Sequence, residues 1–309
     1  MDSSLLDKID TIANGFVVTV VETKGHTYRK RGAKALFVVG EAAPVWGNLG
    51  SLCVDREIVR QGEAALDEGK PRMIEIDTSE SDDVDFGYGT YCGGVMQLLL
   101  EPILDAHKKV YQGLRARIKN DQPVVLLHNL VSGDLEVAGV GPSTSDNPTN
   151  TEPRQGVFAE AIHPPRRLFI FGATPLTRRL AQLLADMEFD INVVDWRPTH
   201  LEGLMDLEWV SLHTEEYSFG ADSYVLVQSH DFRRDKDALK AALSAGCAFV
   251  GMLSSSSRRD KMYEELRAEG VPGDSIDRIS SPVGINIGGK SDAEIAVSIA
   301  AELVAFRNK

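Results

Sequence analysis

The apolar positions of the N-terminal half fall in short runs bounded by turn residues. "GFVVTVVET", "AKALFVVG", "PRMIEID", "VMQLLLEPI" and "PVVLLHNLV" are β-branched or aliphatic, and each predicts a strand. Between the second and third runs the spacing becomes helical. Val54, Ile58 and Ala65 share one face of a helix from about Ser51 to Leu66, with Asp55 and Glu57 early and Gly69 and Pro71 at its stop. A second helix is predicted near Leu104 to Ile118, and "VFAEAI" reads as a last strand before a Pro-Pro linker.

From Leu168 strands and helices alternate. "LFIFG" leads into helix "PLTRRLAQLLADM" and strand "INVVDW"; later come "SYVLVQS", "KDALKAALSAG", "AFVGML", "RRDKMYEELRAEG" and a final helix. That helix opens with Ser291 and Glu294 in an S-x-x-E capping box and turns Ile295, Ile299 and Leu303 inward. Alternation of this kind implies parallel strands joined by crossover helices. The expected fold is α/β, with a mixed α+β domain over residues 1–164 followed by a Rossmann-like doubly wound parallel sheet over 165–309. The stretch "GPSTSDNPTNTEPRQG", residues 141–156, reads as a loop or mobile excursion.

Charge narrows the class of partner. Asp and Glu number 46 against 33 Lys and Arg, a formal charge of -13, so neither nucleic acid nor an anionic membrane surface is an expected partner. The first twenty residues lack the pattern of a signal peptide, and no apolar run reaches the length of a membrane span. Three cysteines without CxxC spacing suit a reducing compartment and argue against a disulfide framework or a structural zinc. The expected location is the cytoplasm.

Candidate chemistry gathers at glycines. In "FGATPLTRRL" Gly172 stands where a dinucleotide-binding loop begins, and Asp195 ends the next strand, where an acidic residue meets a ribose. Thr174 and Thr177 occupy the second and third glycine positions, and a threonine Cβ obstructs the approach of pyrophosphate, so NAD(P) is not expected. Cys53 follows Gly50 at a helix start, where the dipole favours thiolate, and Cys92 precedes Gly93 and Gly94. The two loops are expected to share one cleft lined by Gly50, Gly93 and Gly94, the glycines admitting an anionic ligand. Cys247, at a strand start, reads as core. His230 in "QSHD" is either a catalytic residue or, with Asp231, part of a helix cap; "SESDDVD" over 79–85 is a cation site or a solvated loop.

These residues resemble the XdhC/CoxI accessory proteins of molybdenum hydroxylases. Ser51-Leu52-Cys53-Val54-Asp55 matches that family's G-G-C-V-E, and Gly89, Cys92, Gly93, Gly94, Glu101 and Pro102 match its G-x-x-C-G-G motif and following E-P. "RRLFIFGA", "VVDWRP", "SHD", "FVGML" and "SPVGINIGGKSDAEIAVSIAAEL" carry the likeness through the second half. The sequence departs from the pattern at Ser51 and Leu52, at Gly172 to Pro175 (G-A-T-P for G-A-G-H), and at Ser254 to Ser256 in place of G-S-R, which removes an expected basic contact. The resemblance implies a chaperone-like maturation factor rather than an enzyme. It would bind the molybdenum cofactor transiently, promote its sulfuration with a cysteine desulfurase, assist its insertion into an apo molybdenum hydroxylase, and act as a homodimer. Cys53 would then be the leading metal contact and Cys92 its partner. The alternatives are an NAD(P)-dependent oxidoreductase using the second domain and a regulatory binding module with a vestigial nucleotide fold.

Overall fold

The computed structural model describes residues 3–50, 52–77, 94–139, 156–215 and 217–308. The chain forms two compact units, Met1–Pro164 and Pro165–Lys309.

The first unit runs α1 (Ser3–Thr11), β1 (Gly15–Gly25), β2 (Lys34–Val38), β3 (Trp46–Gly47), α2 (Leu52–Glu68), β4 (Arg72–Asp77), β5 (Gly94–Pro102), α3 (Asp105–Lys119), β6 (Val124–Asn129), β7 (Leu135–Gly139) and β8 (Val157–Ile162). Its strands make two antiparallel sheets, ordered β3-β2-β1-β5-β4 and β7-β6-β8. The apolar run of β1 is continuous because the strand is buried on both faces. Phe16, Val18 and Val20 pack in the cluster that holds Val54 and Ile58 of α2. Val17 joins the opposite cluster, with Leu114 of α3, Leu126 of β6 and Ile162 of β8. Gly62 lets α2 lie close to the sheet, since a Cβ there would stand 2.0 Å from the Phe16 ring.

Four charged side chains, each at most 8% exposed, cross from one sheet to the other: Lys34 on β2, Glu101 on β5, His128 on β6 and Glu160 on β8. Lys34 Nζ donates to Thr19 Oγ1 at 2.7 Å and pairs with Glu160 at 2.9 Å. His128 places Nε2 3.3 Å from Glu160 and Nδ1 2.9 Å from both oxygens of Glu101. Burial alone would push the imidazole down, but the Glu101 charge and the hydrogen bonds that the ring donates to both carboxylates raise it to about 9. Burial likewise opposes ionisation of Glu160, yet Lys34 and His128 hold it down at about 2. With His128 protonated, two cations face two anions.

The second unit runs β9 (Arg166–Phe171), α4 (Pro175–Leu184), β10 (Phe189–Val194), α5 (Pro198–Glu202), β11 (Val210–His213), β12 (Tyr224–Val227), α6 (Phe232–Ser244), β13 (Phe249–Met252), α7 (Ser256–Ala268), α8 (Gly273–Ile276), β14 (Ile279–Ser280) and α9 (Asp292–Arg307). All six strands are parallel in the order β11-β10-β9-β12-β13-β14. This is the Rossmann order 3-2-1-4-5-6, with the switch point between β9 and β12. Helices α4 and α9 pack with one apolar cluster, α6 and α7 with the other. The expected α/β class holds, and the Ser291–Glu294 capping box forms with Ile299 and Leu303 fully buried. Cys247 is core as read, its thiol pushed up by burial.

Two stability experiments test this packing. Alanine is worth roughly 1 kcal/mol over glycine in a helix interior. Gly62→Ala should nevertheless destabilise by about 1–3 kcal/mol, because the Phe16 ring must move; a gain in the urea midpoint would refute the close packing. Glu160→Gln leaves two buried cations facing one anion and should cost about 3–5 kcal/mol. The pairing also sets a pH window. Stability from His128 is complete below its ordinary 6.5 and is lost as pH rises toward 9; that from Glu160 is complete above 4.5 and is lost as pH falls toward 2. Denaturation midpoints of the wild type should therefore decline from pH 6.5 to 9, and a flat profile would contradict a protonated His128.

Candidate functional site

The loop after β9 has the placement of a phosphate-binding loop, and its donors are spent within the chain. Gly172 adopts φ 110°, and a Cβ on it would stand 2.6 Å from Ser229 Cα, so glycine is required by the crossing of β12's exit. Its N–H donates to Val194 O at 2.9 Å. The Ala173 N–H donates to Asp195 Oδ2 at 2.8 Å. Thr174 caps α4: its hydroxyl accepts from Thr177 N–H at 3.3 Å, and Thr177 Oγ1 accepts the Thr174 N–H at 3.0 Å. The threonines thus fill the anion position with their own oxygens as well as obstructing it sterically.

Asp195 stands at the strand end where the pattern predicts it, but it is not an open ribose acceptor. It is fully buried, and Oδ1 accepts from Arg197 N at 3.0 Å and Arg197 Nε at 2.8 Å, while Oδ2 accepts from Arg197 Nη2 and Ala173. Burial opposes its charge, yet these hydrogen bonds keep its carboxyl below the usual range. The expectation of a cofactor contact at Asp195 is corrected on this ground: its oxygens brace the glycine loop.

Beyond Asp195 the C-terminal strand ends open into a cleft of about 240 Å³ whose walls include Phe171, Trp196, Tyr217, Arg234, Glu215 and Asp237. Open α/β sheets bind ligands at this place. The Arg197 and Arg234 guanidiniums lie over the Trp196 ring, 4.3 and 4.5 Å from its centroid. Phe171 and Tyr217 meet edge to face at 5.0 Å. Burial and the nearby Asp237 charge push the Tyr217 phenol up. Within "VVDWRP" nothing local marks Trp196 for a role, because the loop residues that face it lie about twenty positions away.

Asp231 caps α6 by accepting from Arg234 N–H at 3.0 Å, so the capping reading of the "SHD" pair holds for Asp231. His230 stands exposed at φ 64°. The Ser254–Ser256 turn does not leave this region without a basic group. Arg258, two residues on, donates to buried Asp235 at 2.7 Å, and Asp235 also accepts from Ser229.

In the first unit Cys53 lies in the first turn of α2 as expected. Its side chain, all of Cys92 and Gly93, and the acidic run at 79–85 lie outside the described residues, as does most of 141–156. Gly50 and Gly94 are less open than expected. The Gly50 N–H donates to Asn48 Oδ1 at 2.9 Å. Gly94 is buried opposite Gly25, and a Cβ would stand 2.5 Å from His26 O, which corrects its reading as a backbone exposed to ligand. Asp55 reads in the sequence only as an acidic residue near a helix start. In the fold it is 6% exposed, Oδ1 has no hydrogen-bond partner among the described residues, and burial raises its carboxyl. Among the described residues no group of three or more His, Cys, Asp or Glu could hold a metal, and no helix is long and apolar enough to cross a membrane.

Comparison with known proteins follows the same division. The profile of the XdhC Rossmann domain matches residues 168–303, and that of the XdhC and CoxI family matches residues 13–77. A probable xanthine dehydrogenase subunit of Bacillus subtilis is 26% identical over 332 residues, covering 100% of this chain and 97% of its own length. The molybdenum cofactor insertion chaperone PaoD of Escherichia coli is 24% identical over 291 residues, covering 94% of this chain and 83% of its own. A crystal structure from Bacillus halodurans, described as a xanthine dehydrogenase, superposes with a TM-score of 0.80 at 25% identity, over 99% of this chain and 95% of that one. One matched profile falls in each unit and the likeness runs the length of both, so the chain belongs to the XdhC and CoxI family.

Proposed function

We propose that this chain is a maturation factor for a molybdenum hydroxylase of the xanthine dehydrogenase type. It takes the molybdenum cofactor as transient cargo, holds it during sulfuration by a cysteine desulfurase, and delivers it to the apo-enzyme, working as a homodimer in the cytoplasm. One observation carries the reading. A chain aligned over 94% of its length with a cofactor insertion chaperone has a Rossmann loop whose N–H donors are taken by Asp195, Thr174 and Thr177. The alternative, an NAD(P)-dependent oxidoreductase, needs that loop open to pyrophosphate.

On this reading Cys53 contacts the soft metal and Cys92 is its partner, with Gly50 and Gly93 beside them. Connectivity supports it. The helix α2 ends at Glu68 and β4 starts at Arg72, whose guanidinium bonds Glu68 at 2.6 Å and Gln61 at 2.9 Å, so helix and strand run antiparallel. The start of α2 therefore lies toward the end of β4, where Asp77 pairs with Val95 at the start of β5. Two residues before β5 comes Cys92. Asp55, with a buried carboxylate oxygen that has no hydrogen-bond partner among the described residues, stands in the same first turn of α2 as Cys53.

Protein made in a cofactor-competent host should carry molybdenum and pterin after anaerobic purification. Cys53→Ser should lower the molybdenum content at least tenfold with little change in melting temperature, as thiol and hydroxyl are close in size. Asp55→Asn should leave stability equal or higher, since an unpaired buried carboxyl costs free energy, yet should also lower retention. Retention unchanged in both variants would sink the assignment. Calorimetry with NADH should find no low-micromolar site; finding one would restore the oxidoreductase reading. Thr174→Gly should open no such site and should destabilise α4 by a few tenths of a kcal/mol as its cap is lost.

A further inference from the structure

The cleft above β9 and β10 lies within the second unit, whereas the metal contacts proposed above belong to the first. We propose that it is a binding site for a fused 2-amino-4-oxopyrimidine ring, the heterocycle shared by pterins and guanine, with Asp237 as the recognising carboxylate.

The chemistry of the walls selects this ring. Tyr217 and Phe171 line the cleft with aromatic rings, Trp196 meets it through the Arg234 guanidinium stacked on its indole, and Phe219 packs behind Tyr217 and Phe171 at 5.1 and 6.0 Å to hold them. Arg234 is stacked over Trp196, so its guanidinium is held flat at the rim. Charged groups in the cleft are uncommitted. Neither Asp237 nor Glu215 has a side-chain hydrogen bond or ion pair among the described residues, and Arg234 has no carboxylate partner there. Asp237 sits in the second turn of α6, behind the Asp231 cap, so its backbone is fixed.

A carboxylate accepts only, and its two oxygens match two parallel N–H donors. The amidine edge of a 2-amino-4-oxopyrimidine supplies such a pair, from the ring N–H and the exocyclic amine. Adenine supplies one donor beside an acceptor nitrogen, which a carboxylate repels. Arg234 can meet the ring carbonyl or an attached phosphate. Pockets for drug-sized ligands run from roughly 300 Å³ upward; at about 240 Å³ this cleft has room for one fused ring system rather than a dinucleotide. The ring chemistry rests on the cleft alone. Only the preference for a pterin over a guanine nucleotide rests on the maturation role.

Calorimetric titration of the full chain with 6-carboxypterin, guanosine monophosphate and adenosine monophosphate tests the assignment. One of the first two should bind at least tenfold more tightly than the adenine nucleotide, and which of them is tighter identifies the source of the ring. Asp237→Asn should weaken the preferred ligand at least tenfold and erase its advantage over the adenine nucleotide. Asp237 is exposed, so the variant should keep the wild-type melting temperature. Affinities for 6-carboxypterin and the guanine nucleotide that both fall to the level of the adenine nucleotide, no binding of either ring, or an unaffected Asp237→Asn would each overturn the proposal. The maturation role can fail separately: purified protein lacking molybdenum while 6-carboxypterin still binds through Asp237 would remove that role and leave the site. Molybdenum retained equally by wild type and Asp237→Asn, with no pterin binding, would do the reverse.

Discussion

Placing Lys34, Glu101, His128 and Glu160 out of water costs several kcal/mol per ion before any pairing, and each attraction must be complete to offset that cost. In the first unit this condition acts as a constraint on assembly. The four residues come from four strands in two sheets, so their charges are matched only when both sheets are in register and face to face. A slip of one residue in β6 would turn His128 away, leaving Glu101 without its cation and Glu160 with Lys34 alone. The cluster adds little net stability over a packed apolar core, but it makes other registers costly. Its effect reaches the next element: Glu101 is followed by Pro102, whose carbonyl meets the His107 ring at 2.6 Å, and the far side of that ring meets Gly133 O at 2.8 Å. The E-P pair that resembles the family pattern thus fixes β5 and seats α3.

That rigidity bears on the thiols. Cys53 begins a helix whose Val54 and Ile58 are clamped against β1 and β5, and Cys92 precedes a strand pinned near its other end by Glu101. On the proposed reading, the groups that meet the anionic cargo are thereby carried at the ends of elements held elsewhere. Gly50 and Gly94 belong to this anchoring: one turns the chain into α2, the other lets β5 start against the carbonyls of Lys24 and His26.

The sequence disclosed what local periodicity and local chemistry determine. Strand β1, helix α2 and the Ser291 cap were legible because each depends on residues within a few positions of one another. Short elements were missed: α1 spans nine residues, β3 and β14 two each, and β11 reads "VSLH", too brief for a period to show. Helix α5 and strand β7, five residues each, escaped for the same reason. The His128 cluster could not be read from spacing at all, because its partners lie 27 and 32 residues away on other strands. Asp195 was located correctly and its use was not, since the strand position is a matter of pattern while Arg197 and Ala173 claim its oxygens through tertiary geometry.

Asp195 also links the closed loop to the open cleft. A carboxylate at this strand end has two ways to be satisfied: by a ribose that arrives with a dinucleotide, or by a donor from its own chain. Here Arg197 is the donor, and the choice has a consequence one residue away. Held by Asp195, the guanidinium lies over Trp196 and orders the indole, on which Arg234 also stacks. The interaction that withdraws Asp195 from a nucleotide therefore builds a wall of the neighbouring cleft. Substituting glycine for the threonines of the loop would not restore dinucleotide binding while Arg197 remains, because the ribose acceptor would still be taken. Recovery would require removing Arg197 as well, and that change would release the Trp196 wall. The Rossmann frame in this chain has one architecture and two mutually exclusive ways of using its strand ends, and the Asp195–Arg197 pair selects between them.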